Sequence, residues 1–424
     1  MSLGGHLLVV GAGQAGAQLV SSARELGWDG PITLVGQEPH APYQRPPLSK
    51  AFLSGQASAD SLALRTAAFY AAQQVDLVLG EEIEQLELTG GGAGTARSTS
   101  GRQWKFDRLA LATGARPRRL PIDGGDLDGV VTLRTIHDAE LLASRLAKVT
   151  DLVVLGGGFI GLEAAATAVE SGVRTTVVEA QPTLMNRVVS PTTAQIVAAA
   201  HRAAGMRVLT GQRPRRLLVG PDGAVKAVEL EDGAELPAQL VVVGVGAEPC
   251  DGLARAAGLR CDNGIVVDTC SIASDGHTLA IGDCASLPDP SAAPGVTPRL
   301  RLESVDNAVE QAKAAATTLV GNPRPYRSAP WFWSNQGDLK LQLAGLARAD
   351  DDHVVRPSAR PGRSTVLRYR GENLVAAECV NNPAEFMVLR KALGIGATLP
   401  RELATDADRP LKELLTARAS EVTR

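Results

Sequence analysis

Two stretches of this chain are nearly alike: LLVVGAGQAG at 7–16 and LVVLGGGFIG at 152–161. Each is a short apolar run followed by three spaced glycines, Gly11, Gly13 and Gly16 in one and Gly156, Gly158 and Gly161 in the other. The spacing predicts a buried strand, a tight turn and a helix that opens on the turn. The first glycine permits the turn, the second lets backbone approach a pyrophosphate, and the third lets helix pack closely on strand. The helix N-terminus then offers unpaired N–H groups and partial positive charge. Both motifs lead into alanine-rich segments, AQLVSSARELG and LEAAATAVESG, read as helices that stop at Gly27 and Gly172.

A glycine pattern alone is weak evidence, and the acid that closes the following strand gives it weight. ITLVGQE ends near Glu38, 22 residues past Gly16, and TTVVEA ends in Glu179, 18 residues past Gly161. A carboxylate in that position accepts hydrogen bonds from ribose hydroxyls. Two complete strand–glycine–helix–strand–acid units predict two dinucleotides, and the usual pairing is FAD with a nicotinamide nucleotide. LALATGARPR (109–118) and TLAIGDCA (278–285) are further buried strands, ending at Thr113-Gly114 and at Gly282-Asp283. Asp283 can bond a ribityl hydroxyl there, or act only as a turn or cap residue. The first domain is thus read as interrupted by the second and resumed after about residue 245.

A length of 424 residues suits two or three domains. The formal charge is −3 and the arginine pairs are scattered, which argues against a nucleic-acid partner. No apolar run approaches the roughly 20 residues that span a bilayer. The start, MSLGGHLLVVGAG, enters a strand at once, so no signal peptide is expected and a cytoplasmic location is. Cys250, Cys261, Cys270, Cys284 and Cys379 include no close pair. Zinc or iron–sulfur ligation is therefore not expected, and the five are read as small buried hydrophobes.

Over nearly its full length the chain resembles the FAD-dependent ferredoxin reductases of bacterial oxygenase systems, the putidaredoxin reductase and biphenyl dioxygenase reductase type. The segments that carry the resemblance are YQRPPLSK, LATGARPR, LRTIHDA, GGGFIGLEAA, VVEAQPTLMNR, IGDCA, RLESVDNA and PWFWSNQG. The resemblance implies a glutathione-reductase-like α/β fold with two Rossmann-like domains, the NAD domain inserted in the FAD domain, and a C-terminal α+β domain. The boundaries expected are 1–114 and 246–323 for FAD, 115–245 for NAD and 324–424 for the C-terminal domain. It also implies one non-covalent FAD, NADH as donor, and a small acidic 2Fe–2S ferredoxin as acceptor, serving a Rieske oxygenase or cytochrome P450 in aromatic hydrocarbon catabolism.

Residue by residue, Gly11, Gly13, Ala15 and Gly16 match the FAD pyrophosphate loop. Position 37, often acidic in relatives, is Gln37 here, which puts Glu38 forward as ribose partner. Arg45, Lys50, Ile83, Thr113, Gly114, Arg134 and Asp283 match further FAD contacts. Val305 opens a helix whose N–H groups would face the flavin pyrimidine. For the nicotinamide nucleotide the set is Gly156, Gly158, Ile160, Gly161, Glu163, Glu179, Arg187 and Gly246. The Glu179 carboxylate should repel the 2′-phosphate of NADPH and favour NADH, although Arg187 could meet such a phosphate. Trp331 and Trp333 should share one strand face, with Phe332 on the other. Trp333 matches a tryptophan at the flavin edge, while Trp331 is read as core.

In YQRPPLSK, two prolines stiffen a loop that carries Lys50. Glu163 lies two residues past Gly161, and a Lys50–Glu163 pair beside the reactive flavin nitrogen is expected, joining the FAD and NAD domains. Lys50, Glu163 and Trp333 are thus the candidate catalytic residues. Flavin disulfide reductases use a CxxxxC pair in the first domain, but the first 249 residues here hold no cysteine. Electrons would leave from the flavin itself. Two rivals stand beside ferredoxin reduction, an NADH oxidase or quinone reductase and a redox sensor of the apoptosis-inducing-factor kind. A docking patch for an acidic ferredoxin could draw on Arg116, Arg118, Arg119, Arg299, Arg301, Arg324 and Arg327.

Overall fold

The computed structural model describes residues 4–290, 298–358 and 360–416. Over these residues the chain divides into two compact units. One comprises Met1–Gln44, Ala59–Arg116 and Ala247–Ser328, and the other Arg45–Ser58, Pro117–Gly246 and Ala329–Arg424.

The first unit is built on a five-stranded sheet in the order Leu279–Ala280, Arg108–Leu111, Leu7–Val10, Ile32–Gly36, Val75–Leu79, with every neighbouring pair parallel. Leu7–Val10 is buried along its whole length because both sheet faces are covered. Leu7 and Val9 face a core shared with Leu19, Val20 and Ala23 of the helix Gln14–Glu25. Ala308, Ala312, Ala315 and Ala316 of the helix Val305–Leu319 complete that core, and their small side chains let the two helices lie close. Leu8 and Val10 face the other way, onto Trp104, Phe106 and Leu86 of an antiparallel sheet formed by Ile83–Gly90, Ala93–Ser98 and Gln103–Phe106. The edge strand Leu279–Ala280 comes from the returning part of the chain, so the sheet is completed only after the second unit's central segment has been laid down.

In the second unit Asp151–Leu155 lies between Arg174–Glu179 and Leu240–Val243, all parallel, with Arg207–Thr210 and Val130–Val131 at the edges. Val153, Leu155, Val178, Val241 and Val243 pack against Val225, Val228, Leu230 and Leu236 of an antiparallel three-stranded sheet. The C-terminal part is an antiparallel sheet ordered Trp331–Gln336, Leu339–Gly345, Asn373–Val380, Ser364–Arg370, Asp352–Arg356. The helix Pro383–Gly394 sets Phe386 and Leu389 on Leu367, Tyr369, Ala377 and Cys379. Two parallel α/β sheets, one closed by a late strand, and an α+β C-terminal part make the architecture doubly Rossmann-like.

The helix Pro191–Ala203 is fastened to the C-terminal sheet at both ends. Its cap Ser190 donates through backbone N–H and hydroxyl to Glu378, and His201 bonds Gln336 at 2.7 Å. Among the described residues no helix is long and apolar enough to cross a membrane.

Candidate functional site

In the first unit, strand Leu7–Val10 turns into helix Gln14–Glu25 through Gly11, Gly13 and Gly16, of which the first and the last could not be replaced without distortion. Gly11 holds φ +115°, and a Cβ there would lie 2.1 Å from the Ala112 carbonyl oxygen. A Cβ at Gly16 would lie 2.1 Å from the Gly11 oxygen, yet at Gly13 it would meet nothing within 4 Å. Space has been left at the mouth of a helix whose first turn carries no acidic residue. The helix dipole there favours an anion. A Cβ at Gly282 would lie 3.0 Å from that of Ala15, which brings the Gly282-Asp283 turn beside the same helix end. Gln311 accepts the Gly282 N–H at 2.8 Å, and Arg301 donates to the Asp283 carbonyl at 3.2 Å. Thr113 donates to the Cys250 carbonyl at 2.6 Å, and Cys250 N–H to that of Gly114 at 2.9 Å.

Glu38 is half-buried at the end of the second strand and accepts the Tyr43 hydroxyl at 2.7 Å. Gln37 is exposed and turns instead to Glu82, at 3.2 Å. Ile83 begins its strand opposite Ser98 and is buried. Val305 is the first residue of its helix, and the Ser304 side chain accepts the Asn307 N–H. One of the amides expected to face a ligand is therefore already capped.

The second unit repeats the glycine geometry. Gly156 holds φ +105°, a Cβ at Gly161 would lie 2.7 Å from the Gly156 oxygen, and one at Gly158 would find its nearest atom 3.9 Å away. Glu179 Oε2 accepts the Gly157 N–H at 2.7 Å and Oε1 that of Gln181 at 2.7 Å. The strand-end acid is thus fastened to the glycine turn, a link that motif spacing does not reveal. Ile160 is 46% exposed in the first turn of helix Phe159–Glu170. Arg187 is exposed, and its Nη2 lies 3.6 Å from where a Gly246 Cβ would stand.

Also in the second unit, Pro46-Pro47 open a short 3₁₀ turn, Pro46–Ser49, that delivers Ser49 and Lys50 to helix Phe159–Glu170. Lys50 Nζ lies 2.5 Å from Glu163 Oε2 and donates to the Pro46 carbonyl at 2.8 Å. Glu163 is 5% exposed, a costly place for a carboxylate unless donors surround it. Ser49 donates to Oε2 at 2.5 Å and Ser334 to Oε1 at 2.6 Å, so both oxygens are satisfied. Thr167, one turn along, donates to the Ser49 carbonyl at 2.9 Å. These bonds group Arg45–Ser58 with the second unit, so Lys50 and Glu163 belong to the same unit. Arg45 Nη1 donates to the Arg134 carbonyl at 2.8 Å, and Arg134 N–H to Asp138 at 2.9 Å. Ser49 and Ser334 were not picked out from sequence.

Trp333 stacks on Trp331 with centroids 5.1 Å apart, and Trp331 packs on Phe386 under the Arg390 guanidinium. Phe332 turns to the opposite face and meets Phe159 at 4.5 Å. None of the five cysteines forms a disulfide. Only Cys284 and Cys379 are fully buried, so core packing accounts for two of the five, the others being half-buried. Burial pushes the Cys284 thiol up and that of Cys379 up to about 12, leaving both inert. Among the described residues no group of three metal-ligating side chains occurs. Of the arginines considered for docking, Arg299 donates to the carbonyls of Val267 and Ser286 and Arg301 is only 9% exposed, so these two serve the fold.

The pattern of the pyridine nucleotide-disulphide oxidoreductases matches residues 5–312, and that of the reductase C-terminal domain matches 331–415. Rhodocoxin reductase of Rhodococcus erythropolis is 42% identical over 96% of this chain and 93% of its own. The crystal structure of the ferredoxin reductase for the CYP199A2 system from Rhodopseudomonas palustris superposes with TM-score 0.91 and 38% identity, covering 96% of this chain and 99% of that one. The reductase in the covalent putidaredoxin reductase–putidaredoxin complex gives 0.90 and 37%, covering 96% and 97%. The open helix mouths at Gly13 and Gly158 fit the two dinucleotides, FAD and a nicotinamide nucleotide, that proteins of this kind use. The chain belongs to the pyridine nucleotide-disulphide oxidoreductase family, in the FAD-dependent ferredoxin reductase branch that carries the reductase C-terminal domain.

Proposed function

We propose that this protein is a cytoplasmic NADH:ferredoxin reductase that feeds a 2Fe–2S ferredoxin of an oxygenase or cytochrome P450 system. The observation that carries the reading is the conjunction of two open dinucleotide cradles with a chain that has no cysteine before Cys250. When bound, FAD supplies the conversion of a two-electron hydride donor into single electrons.

The chain's own residues bind and orient. Gly11, Gly13 and Gly16 admit the FAD pyrophosphate to a helix mouth, with Glu38 for the ribose and Asp283 for the ribityl chain. Gly156, Gly158 and Gly161 do the same for NADH. Glu179 accepts the ribose hydroxyls and disfavours a 2′-phosphate, while it keeps the Gly157 amide in place. Ile160, Arg187 and Gly246 border that site. Lys50 holds a positive charge at a fixed place because Glu163 and the Pro46 carbonyl grip it, and the pair orients the nicotinamide and steadies charge changes on reduction. In the first unit Ile83, Thr113, Gly114 and Val305 would complete the hold on FAD, while the second unit carries Arg45, Arg134 and Trp333, which match flavin contacts through the family resemblance.

The test is cytochrome c reduction by the holoenzyme with NADH, with and without an acidic 2Fe–2S ferredoxin. A large rate increase on adding ferredoxin, falling as salt rises, is the expected result. Rapid oxygen uptake without ferredoxin would replace this reading by an oxidase. Slow turnover with a lasting charge-transfer band would replace it by a redox sensor.

A further inference from the structure

Behind Glu163 runs a closed line of polar groups that neither dinucleotide cradle includes. Ser334 accepts from Gln336 Nε2 at 3.0 Å, and Gln336 Oε1 lies 2.7 Å from His201 Nε2. Glu163 is 5% exposed, Ser334 0%, Gln336 3% and His201 3%, so water has little access to any of them. The chemistry of each group fixes the direction of each bond. A carboxylate only accepts, so the one hydroxyl proton of Ser334 goes to Glu163. Ser334 then receives from the amide nitrogen of Gln336, which turns the amide oxygen to His201. An amide oxygen only accepts, so His201 Nε2 must carry a proton. Burial lowers the affinity of this ring for a second proton, against the opposing pull of Gln336.

We infer that His201 is a positioning residue for the Glu163 carboxylate, acting through Gln336 and Ser334 to fix which way the hydrogen bond at Oε1 points. The inference rests on the reading of Lys50 and Glu163 as part of the redox site. A glutamine amide does not conduct protons, so what passes along the line is orientation. With His201 in its other tautomer, Nε2 would be an acceptor, the amide would turn over, and the single Ser334 proton would stand between two acceptors, Gln336 Oε1 and Glu163 Oε1. One of the two would then face a lone pair, and the hold of Ser334 on Glu163 Oε1 would weaken. With Oε1 held by Ser334, Oε2 is left to Lys50 and Ser49. The tautomer of one buried ring thus selects the arrangement that presents Glu163 to Lys50.

The experiment is ¹⁵N-histidine NMR of the holoenzyme, with the His201 signals identified by their loss in His201→Gln. An Nε2–H tautomer whose signals shift in both Ser334→Ala and Glu163→Gln is the expected result. An Nδ1–H tautomer, or signals indifferent to both substitutions, would overturn the inference whatever the kinetics show. A second arm follows flavin reduction by NADH in rapid mixing. His201→Leu should slow it about tenfold and add nothing in a Ser334→Ala background, while His201→Gln, which keeps an N–H donor, stays within about twofold. Loss of stability alone would move both His201 variants together. If Glu163→Gln leaves flavin reduction unchanged, the redox reading of the pair fails and the NMR arm still decides the positioning. If Glu163→Gln slows it and His201→Leu does not, the positioning role is overturned.

Discussion

Arg368 Nη1 lies 2.8 Å from Glu378 Oε1, with only 5% and 2% of the two side chains exposed. Glu378 also accepts from Ser190, and Arg368 donates to the carbonyls of Arg348 and Asp351. Removing one partner leaves a buried charge without compensation. Arg368→Met should cost about 3–5 kcal/mol, read as a fall in Tm by circular dichroism. The double variant Arg368→Met/Glu378→Leu should recover much of that loss, because replacing a whole buried pair is far milder than breaking it.

Lys50→Met keeps the length of the side chain and deletes its charge. FAD should stay bound, since the glycine cradle of the first unit is untouched, while stopped-flow reduction by NADH slows at least about tenfold. An unchanged trace would remove Lys50 from the redox site.

Gly11 and Gly13 should respond to alanine in opposite ways. Gly11→Ala forces a Cβ into the Ala112 carbonyl at a positive φ, so the apoprotein itself should lose more than about 1 kcal/mol. Gly13→Ala adds a methyl group to open space, so apoprotein stability should hold and FAD affinity should fall. Thermal melting of the apoprotein and fluorescence titration with FAD separate the two effects.

His201 should imprint a pH dependence on stability. Burial lowers the folded-state value below the ordinary 6.5. Between 6.5 and that lower value the unfolded chain binds a proton that the folded chain does not, so stability drops as pH falls through this window. Above it the contribution is fully present. Denaturant titrations across pH should show the drop in wild type and a flatter limb in His201→Gln.

Much of this architecture is legible in sequence because glycine has few substitutes. Gly11, Gly16 and Gly156 are demanded by backbone geometry, so their spacing, together with the strand-end acids Glu38 and Glu179, announces two cradles. Lys50 was legible through the stiff Pro46-Pro47 step and the family resemblance. Ser334, Gln336 and His201 were not, since serine and glutamine have many uses and their partners are distant in the chain. One signal was present. In PWFWSNQ the alternation that sets Trp331 and Trp333 on one face puts Phe332, Ser334 and Gln336 on the other, where they meet Phe159, Glu163 and His201. The face was visible, but the surface it would meet was not. The bond from the Asn307 N–H to Ser304 was likewise hidden, because the family resemblance at Val305 points to a ligand and not to the helix's own needs.

The helix Pro191–Ala203 is tied to the C-terminal sheet through Ser190 and His201, although the matched C-terminal domain begins only at residue 331. Recombination between relatives at that boundary would set a buried glutamate against a foreign helix cap and a buried glutamine against a foreign ring. Such hybrids should fold poorly unless the residues at 190 and 201 cross over too. Helix and sheet therefore form one heritable block, and lineages that exchange electron-carrier specificity should do so by surface change and not by trading whole C-terminal domains.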